Sequence, residues 1–229
     1  IVVNPYPYLE AATILGEPPP PYQGQFWDDE GSVHEANIDA LAELGVTTGC
    51  AEGRFCPGES VTRGQMATFI ARALGWETGG AEDAFADDDG SPHEAAINEL
   101  FARGVTTGCD AGGYCPGEAV SRGQMATFLV RAFGLTAGEA DPPGEDPPAE
   151  DPPGEVPPGE EAVPEDDVSN IAFSDTGGSP HEANIAILAS SGVTTGCEDG
   201  LYCPGEDVSR AQMATFLIRA IDTLSAEAG

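Results

Sequence analysis

The chain of 229 residues contains no lysine. Its only fixed cations are eight arginines, set against 40 aspartates and glutamates, for a formal net charge of −32. So negative a chain repels polyanions at long range, which excludes non-specific binding of nucleic acid and of anionic lipid. No apolar run approaches the ~18–20 residues of a membrane-spanning helix. There is no H-E-x-x-H pair, phosphate loop, cofactor fingerprint or repeated pairing of a nucleophile with a base. The expectation is therefore a protein without catalytic activity. Strong acidity suits a salty medium or a surface that gathers divalent cations, and composition does not choose between them. Ile1 at the start is expected of a processed product or a fragment.

What the chain does contain is repetition. Residues 26–74, 85–133 and 173–221 align without a gap, each reading F-x-D, S-x-H-E-A-x-I, G-V-T-T-G-C, C-P-G-E and V-[ST]-R-[GA]-Q-M-A-T-F. A unit of this length is marginal alone because too little of its surface can be buried, so three units are expected to pack together. Each reads as helix, loop, helix. In the second unit Ser91-Pro92 suits a helix start, with Ile97, Leu100 and Phe101 on one face and Gly104 as a C-terminal stop. A second helix follows, announced by a capping box, Ser121 with Gln124, and by a staple of Val120 with Met125. The equivalents are Thr62/Gln65 with Val61/Met66, and Ser209/Gln212 with Val208/Met213. The Met-Ala-Thr-Phe stripe is read as core.

Six cysteines fall as Cys50/Cys56, Cys109/Cys115 and Cys197/Cys203, one pair per unit. An even count at one spacing favours disulfides and export, each small loop stabilising by roughly 2.4 kcal/mol in the chain-entropy model. The rival is zinc, with His34, His93 and His181 as further ligands, although C-x5-C is not a usual zinc spacing. No metal site is assigned. The acidic run at 87–90 lacks EF-hand spacing and the third unit has only Asp175 there, so calcium stays a minor alternative and no cofactor is expected.

The units are joined unequally. Residues 75–84 link the first two. Residues 134–172 link the second to the third and hold DPPGE-DPPAE-DPPGE-VPPGE, without a single base. This linker is expected to be extended, self-repelling and polyproline-II-like, residues 135–172 reaching up to about 118 Å at ~3.1 Å per residue. Residues 1–25 form an N-terminal arm, either a disordered tail or a segment that packs on its own or a neighbouring chain, and 222–229 a C-terminal tail. Such a tether lets the third unit complete the bundle of its own chain or of a neighbour.

Arg63, Arg122 and Arg210 stand at the first position of the second helices, where the dipole disfavours a cation. Either each pairs with an acid or an aromatic ring, or arginine and free helix N–H groups form an anion site. Arg72, Arg131 and Arg219 lie towards the helix C-terminus, which the dipole explains. The three histidines read as helix-start or packing residues.

The F-x-D, H-x-A-x-I-x-x-L-x-x-x-G-V-T-x-G and V-[ST]-R motifs, three times in tandem, resemble S-layer homology domains, in a cysteine-paired variant of actinobacterial type. That resemblance implies a mainly α fold, with three repeats forming a pseudo-threefold helical bundle with projecting prongs. It implies grooves that bind an anionic secondary cell-wall polysaccharide, with Arg63, Arg122 and Arg210 on the anion. It further implies an extracellular protein, attached non-covalently to the wall or surface of a bacterium. The alternative is a self-assembling subunit of an S-layer or filament, with repeats shared between chains. Where the family usually carries Trp, this chain has Glu35, Glu94 and Glu182, which would repel an anionic glycan if they faced a groove. Where it usually has A-E after the arginine, this chain has G-Q or A-Q.

Overall fold

The computed structural model describes residues 24–109, 112–136 and 173–227. Residues 1–23 of the N-terminal arm and 137–172 of the acidic linker lie outside the described residues. Six helices are present among them: α1 (Glu35–Glu43), α2 (Arg63–Ala73), α3 (Glu94–Ala102), α4 (Arg122–Phe133), α5 (Glu182–Ser190) and α6 (Arg210–Glu227). There are no strands among the described residues, only isolated bridges. Each repeat thus supplies one short and one longer helix, as its hydrophobic spacing requires.

The second helices begin where the capping boxes place them. Thr62 and Ser121 accept from the N–H of Gln65 and Gln124, whose side chains accept in return from the cap N–H. Ser209 and Gln212 do the same at 3.1 and 3.2 Å. The short helices start two residues later than Ser-Pro suggests. Their cap is a histidine that makes no side-chain capping bond, while Ser91 Oγ accepts from His93 N in the turn just before. At the end of α3, Gly104 takes φ +71° and Val105 N–H reaches back to Leu100 O, so the glycine stops the helix as expected. Ile97 and Leu100 are fully buried. Phe101 is 46% exposed and instead sets its ring edge-on to Phe85, a departure from the expected apolar face.

Within each repeat the loop is tied down twice. Disulfides join Cys50–Cys56, Cys109–Cys115 and Cys197–Cys203, so the thiols are not available to zinc. The aspartate of F-x-D clamps the same loop: Asp87 accepts from Tyr114 N–H and Cys115 N–H at 2.8 and 2.7 Å, and Asp28 and Asp175 repeat this. Those bonds hold the Asp87 and Asp175 carboxyls below the usual range. The second cysteine of each pair needs such support, because its φ of 57–59° lies in the left-handed region that costs a non-glycine residue about 1–2 kcal/mol.

The repeats interlock in a ring. Each short helix packs on the long helix of the preceding repeat: α3 on α2, α5 on α4 and α1 on α6. On the inside α6 touches α2 and α4. At the axis Val61 N–H donates to Val208 O, Val208 N–H to Val120 O, and Val120 N–H to Val61 O, all at 2.9 Å, and all three side chains are fully buried. The ring closes within one chain, so the third repeat completes its own bundle. Met66, Met125 and Met213 are fully buried in the same core. The Met-Ala-Thr-Phe stripe is core except for its threonine, which is half-buried and hydrogen-bonded.

Because each repeat completes its neighbour, damage to one is felt by all. Met125→Ala should lower the unfolding free energy by about 2–5 kcal/mol, as expected of a large-to-small core change. Fluorescence of Trp27 and Trp76 at repeat 1, and far-UV circular dichroism, should report one shared denaturant transition. Separate transitions would show that the repeats are independent.

Candidate functional site

The helix-start arginines are almost fully buried, at 2–4% exposure. Arg63 donates Nε–H to Tyr114 O of repeat 2 at 2.8 Å, and the Tyr114 hydroxyl donates back to Arg63 O at 3.0 Å. Its guanidinium lies 4.8 Å from the Tyr114 ring centroid and 5.4 Å from that of Phe128. Arg122 holds Tyr202 of repeat 3 in the same way. Arg210 bonds Phe55 O of repeat 1 at 2.7 Å. The helix N–H groups beside them are also taken: Arg63 N–H donates to Glu118 O and Gly64 N–H to Pro116 O, with the same pattern at Arg122 and Arg210. The expected anion site built on free helix N–H groups is therefore not formed. The helix end is satisfied by the next repeat, and the misplaced charge is offset by a carbonyl and two aromatic faces. One donor remains unused, because Nη2 of each of these arginines is buried without a partner. Burial lowers the pKa of Arg122 and Arg210.

Each arginine opens onto a groove assembled from three repeats. Over repeat 2, Arg63 of repeat 1 meets Thr106, Thr107, Gln124 and Arg131 of repeat 2 and His181 of repeat 3. Over repeat 3 the corresponding residues are Arg122, Arg219 and His34, and over repeat 1 they are Arg210, Arg72 and His93. Six of the eight arginines and all three histidines lie in these grooves, and no carboxylate lines any of them. Among the described residues, the only arginines in ion pairs are the other two: Arg54 with Asp28 and Arg103 with Glu99. Among the described residues, the arginines outside ion pairs thus stand in three equivalent places.

Sequence spacing explained Arg72, Arg131 and Arg219 by the helix dipole. The structure gives them a further position: Nη1 of each donates to the valine carbonyl of the G-V-T loop at 3.3 Å, inside the groove. Among the described residues, no histidine joins the cysteines in a cluster of metal-ligand atoms. His34, His93 and His181 each share a 2.8 Å bond through Nδ1 with Thr215, Thr68 and Thr127 of the preceding repeat. A Cβ on Gly123 would lie 2.7 Å from the His181 ring and one on Gly64 2.8 Å from that of His93, whereas repeat 3 carries Ala211 at this position. Glu35, Glu94 and Glu182 face away from the grooves, accepting from the N–H of Gly31, Gly90 and Gly178 in their own repeats. The repulsion expected of them in a groove does not arise. No such three-repeat constellation can be read from spacing, because its members are far apart in the chain.

The S-layer homology domain matches residues 28–67, 84–126 and 172–214, together more than half of the chain. The chain belongs to the S-layer homology domain family. As a member it is a cell-surface protein, with the mainly helical three-repeat architecture described above. It is 34% identical over 100 residues to an S-layer protein of Bacillus thuringiensis subsp. finitimus, covering 43% of this chain and 12% of that one. It is 33% identical over 108 residues to an endoglucanase of Bacillus sp. (strain KSM-635), 47% of this chain and 11% of the enzyme. Cell surface glycoprotein 1 of Acetivibrio thermocellus matches at 26% over 178 residues, 76% of this chain and 7% of that protein. The S-layer homology chain therefore spans about a tenth of the length of these relatives.

The groove histidines give the fold a pH dependence. Burial first, and Arg219, Arg72 and Arg131 second, lower the pKa of His34, His93 and His181 respectively. The unfolded chain then takes up protons near pH 6.5 that the folded chain refuses, so this contribution is full above pH 6.5 and is lost as pH falls through the folded values. Thermal melts should show His181→Gln losing less stability than the parent between pH 7 and 5.5. Parallel slopes would contradict this.

Proposed function

We propose that the chain is a non-catalytic anchor whose three grooves bind an anionic cell-wall polysaccharide. The observation that carries this reading is the gathering of six arginines outside any ion pair among the described residues, together with three histidines, into three grooves without a carboxylate. Such a groove favours a carboxylate or phosphate group, through guanidinium hydrogen bonds that are stronger than neutral ones. Threonine, glutamine and asparagine side chains around it suit sugar hydroxyls. Cavity volumes of about 160–280 Å³ lie below the ~300–1,000 Å³ of sites that engulf a drug-sized ligand, and fit one charged sugar of a longer polymer per groove. Arg63, Arg122 and Arg210 serve as floor and inter-repeat clamp, and Arg72, Arg131 and Arg219 supply charge at the wall.

Shared similarity to an S-layer protein and an endoglucanase supports a module used for attachment rather than for one reaction. The self-assembling alternative, with repeats shared between chains, has less support, because the threefold is already closed within one chain.

The test is binding of purified wall polysaccharide, intact and carboxyl-reduced or dephosphorylated. Intact polymer should bind and weaken as salt rises, and the neutralised polymer should not bind. A triple variant, Arg72→Gln with Arg131→Gln and Arg219→Gln, should lose roughly ten-fold or more in affinity, from charge-assisted bonds worth about 1.5–3 kcal/mol each. It spares the buried clamps, whose removal would also weaken the fold. Equal binding of native and neutralised polymer would reject the reading.

A further inference from the structure

Three seams between a long and a short helix hold the ring together, and one of them lacks a part. At the α2–α3 seam, Gly75 takes φ +61° and Trp76 N–H bonds back to Ala71 O at 2.8 Å. The Trp76 ring then lies at the end of α3, its centroid 4.3 Å from the Arg103 guanidinium. At the α4–α5 seam Gly134 turns in the same way, Leu135 N–H bonds back to Val130 O, and Leu135 is buried. At the α6–α1 seam this turn is missing. Asp222 stands in place of the glycine and α6 runs on to Glu227. Thr223, the counterpart of Trp76 and Leu135, donates its hydroxyl to Ala220 O of its own helix. Leu44, the counterpart of Arg103 and Ser191, is left 58% exposed, and Ile221 and Leu224 of α6 are only partly buried.

The N-terminal arm enters beside this seam. Gln25 N–H donates to Asp39 Oδ1 of α1 at 2.8 Å, as Ala84 N–H donates to Asn98 Oδ1 of α3 at 3.0 Å. The arm therefore joins repeat 1 as residues 75–84 join repeat 2, and those residues come straight from a seam. Spacing extends the likeness: Leu15, followed by Gly16, stands ten residues before Gln25, and Leu74, followed by Gly75, stands ten before Ala84. A stretch of that length thus reaches from the entry point to a seam. The arm also suits an apolar site, since residues 1–23 hold Ile14 and Leu15 and, in a chain with 40 acids, only Glu10 and Glu17. The acidic linker at 137–172 has no leucine and no aromatic residue to offer.

We propose that Ile14 and Leu15 dock on Leu44 at the α6–α1 seam of their own chain, and supply there what Trp76 and Leu135 supply at the other two. The contact takes Leu44 out of water, which favours it. The occupant is the chain's own arm, because a short tether holds it at an effective concentration in about the millimolar range, far above that of a neighbouring chain in dilute solution.

Chymotrypsin cleavage after Leu15 in the full chain tests this, with Leu44→Ser as the comparison. Repeat 3 already has Ser191 at this position, so the fold accepts the change. Under native conditions the parent should be cut roughly ten-fold or more slowly than Leu44→Ser, at a rate independent of protein concentration. Thermal melts should show Leu44→Ser, and Ile14→Ser with Leu15→Ser, each lowering the melting temperature, and all three changes together lowering it no further than the larger of the two. Equal cleavage rates or additive losses of stability would overturn the proposal. So would protection that grows with protein concentration, which would place the arm on a second copy instead.

Discussion

Each long helix of this protein is begun by another repeat. The amide of the valine before its cap is bonded to a valine carbonyl elsewhere in the ring, and the amides of its first two helical residues donate to the C-P-G-E carbonyls of the next repeat. Buried amides must find partners, so no repeat can hold its second helix in place alone. The same constraint explains the tied loops. The disulfide and the F-x-D aspartate fix the C-P-G-E segment so that its carbonyls stand ready for the neighbour. Stability and symmetry are here one fact, since three like repeats satisfy one another in turn.

The grooves follow from that interlock. An arginine at a helix start is tolerated because the adjoining repeat brings it a carbonyl and an aromatic face. It is thereby held at the floor of a groove whose walls come from that repeat and the one after. The groove floor and the inter-repeat joint share Arg63, Arg122 and Arg210, so a change at these residues acts on both. Arg72, Arg131 and Arg219 instead donate to a loop carbonyl of their own repeat.

Much of this was legible in the sequence. The gapless repeats, the S-x-x-Q capping boxes and the equal cysteine spacing are local patterns, and they fixed the helix starts and the loop ties. The arginine puzzle was half legible: its position at N1 was correct, but the helix N–H groups assigned to an anion are taken up by Glu118 and Pro116 of another repeat. The groove histidines and second arginines were hidden because their partners come from three separate stretches of chain. His181 looked like a helix-start residue, and its bond to Thr127 crosses from repeat 3 to repeat 2. Phe101 looked like core because periodicity reports a face and not where the neighbours end.

The claim on which the rest depends is that the ring closes within one chain as a single cooperative unit. Native-state hydrogen exchange at the three axial amides tests it most directly. Val61, Val120 and Val208 should all exchange only through global unfolding, with one common opening free energy equal to that from denaturant. Repeat 3 contributes the partner of Val61 N–H and the donor at Val208, but neither end of the Val120 bond to Val61. Fast exchange at Val61 and Val208 with slow exchange at Val120 would show repeat 3 leaving the ring on its own, and would contradict the account.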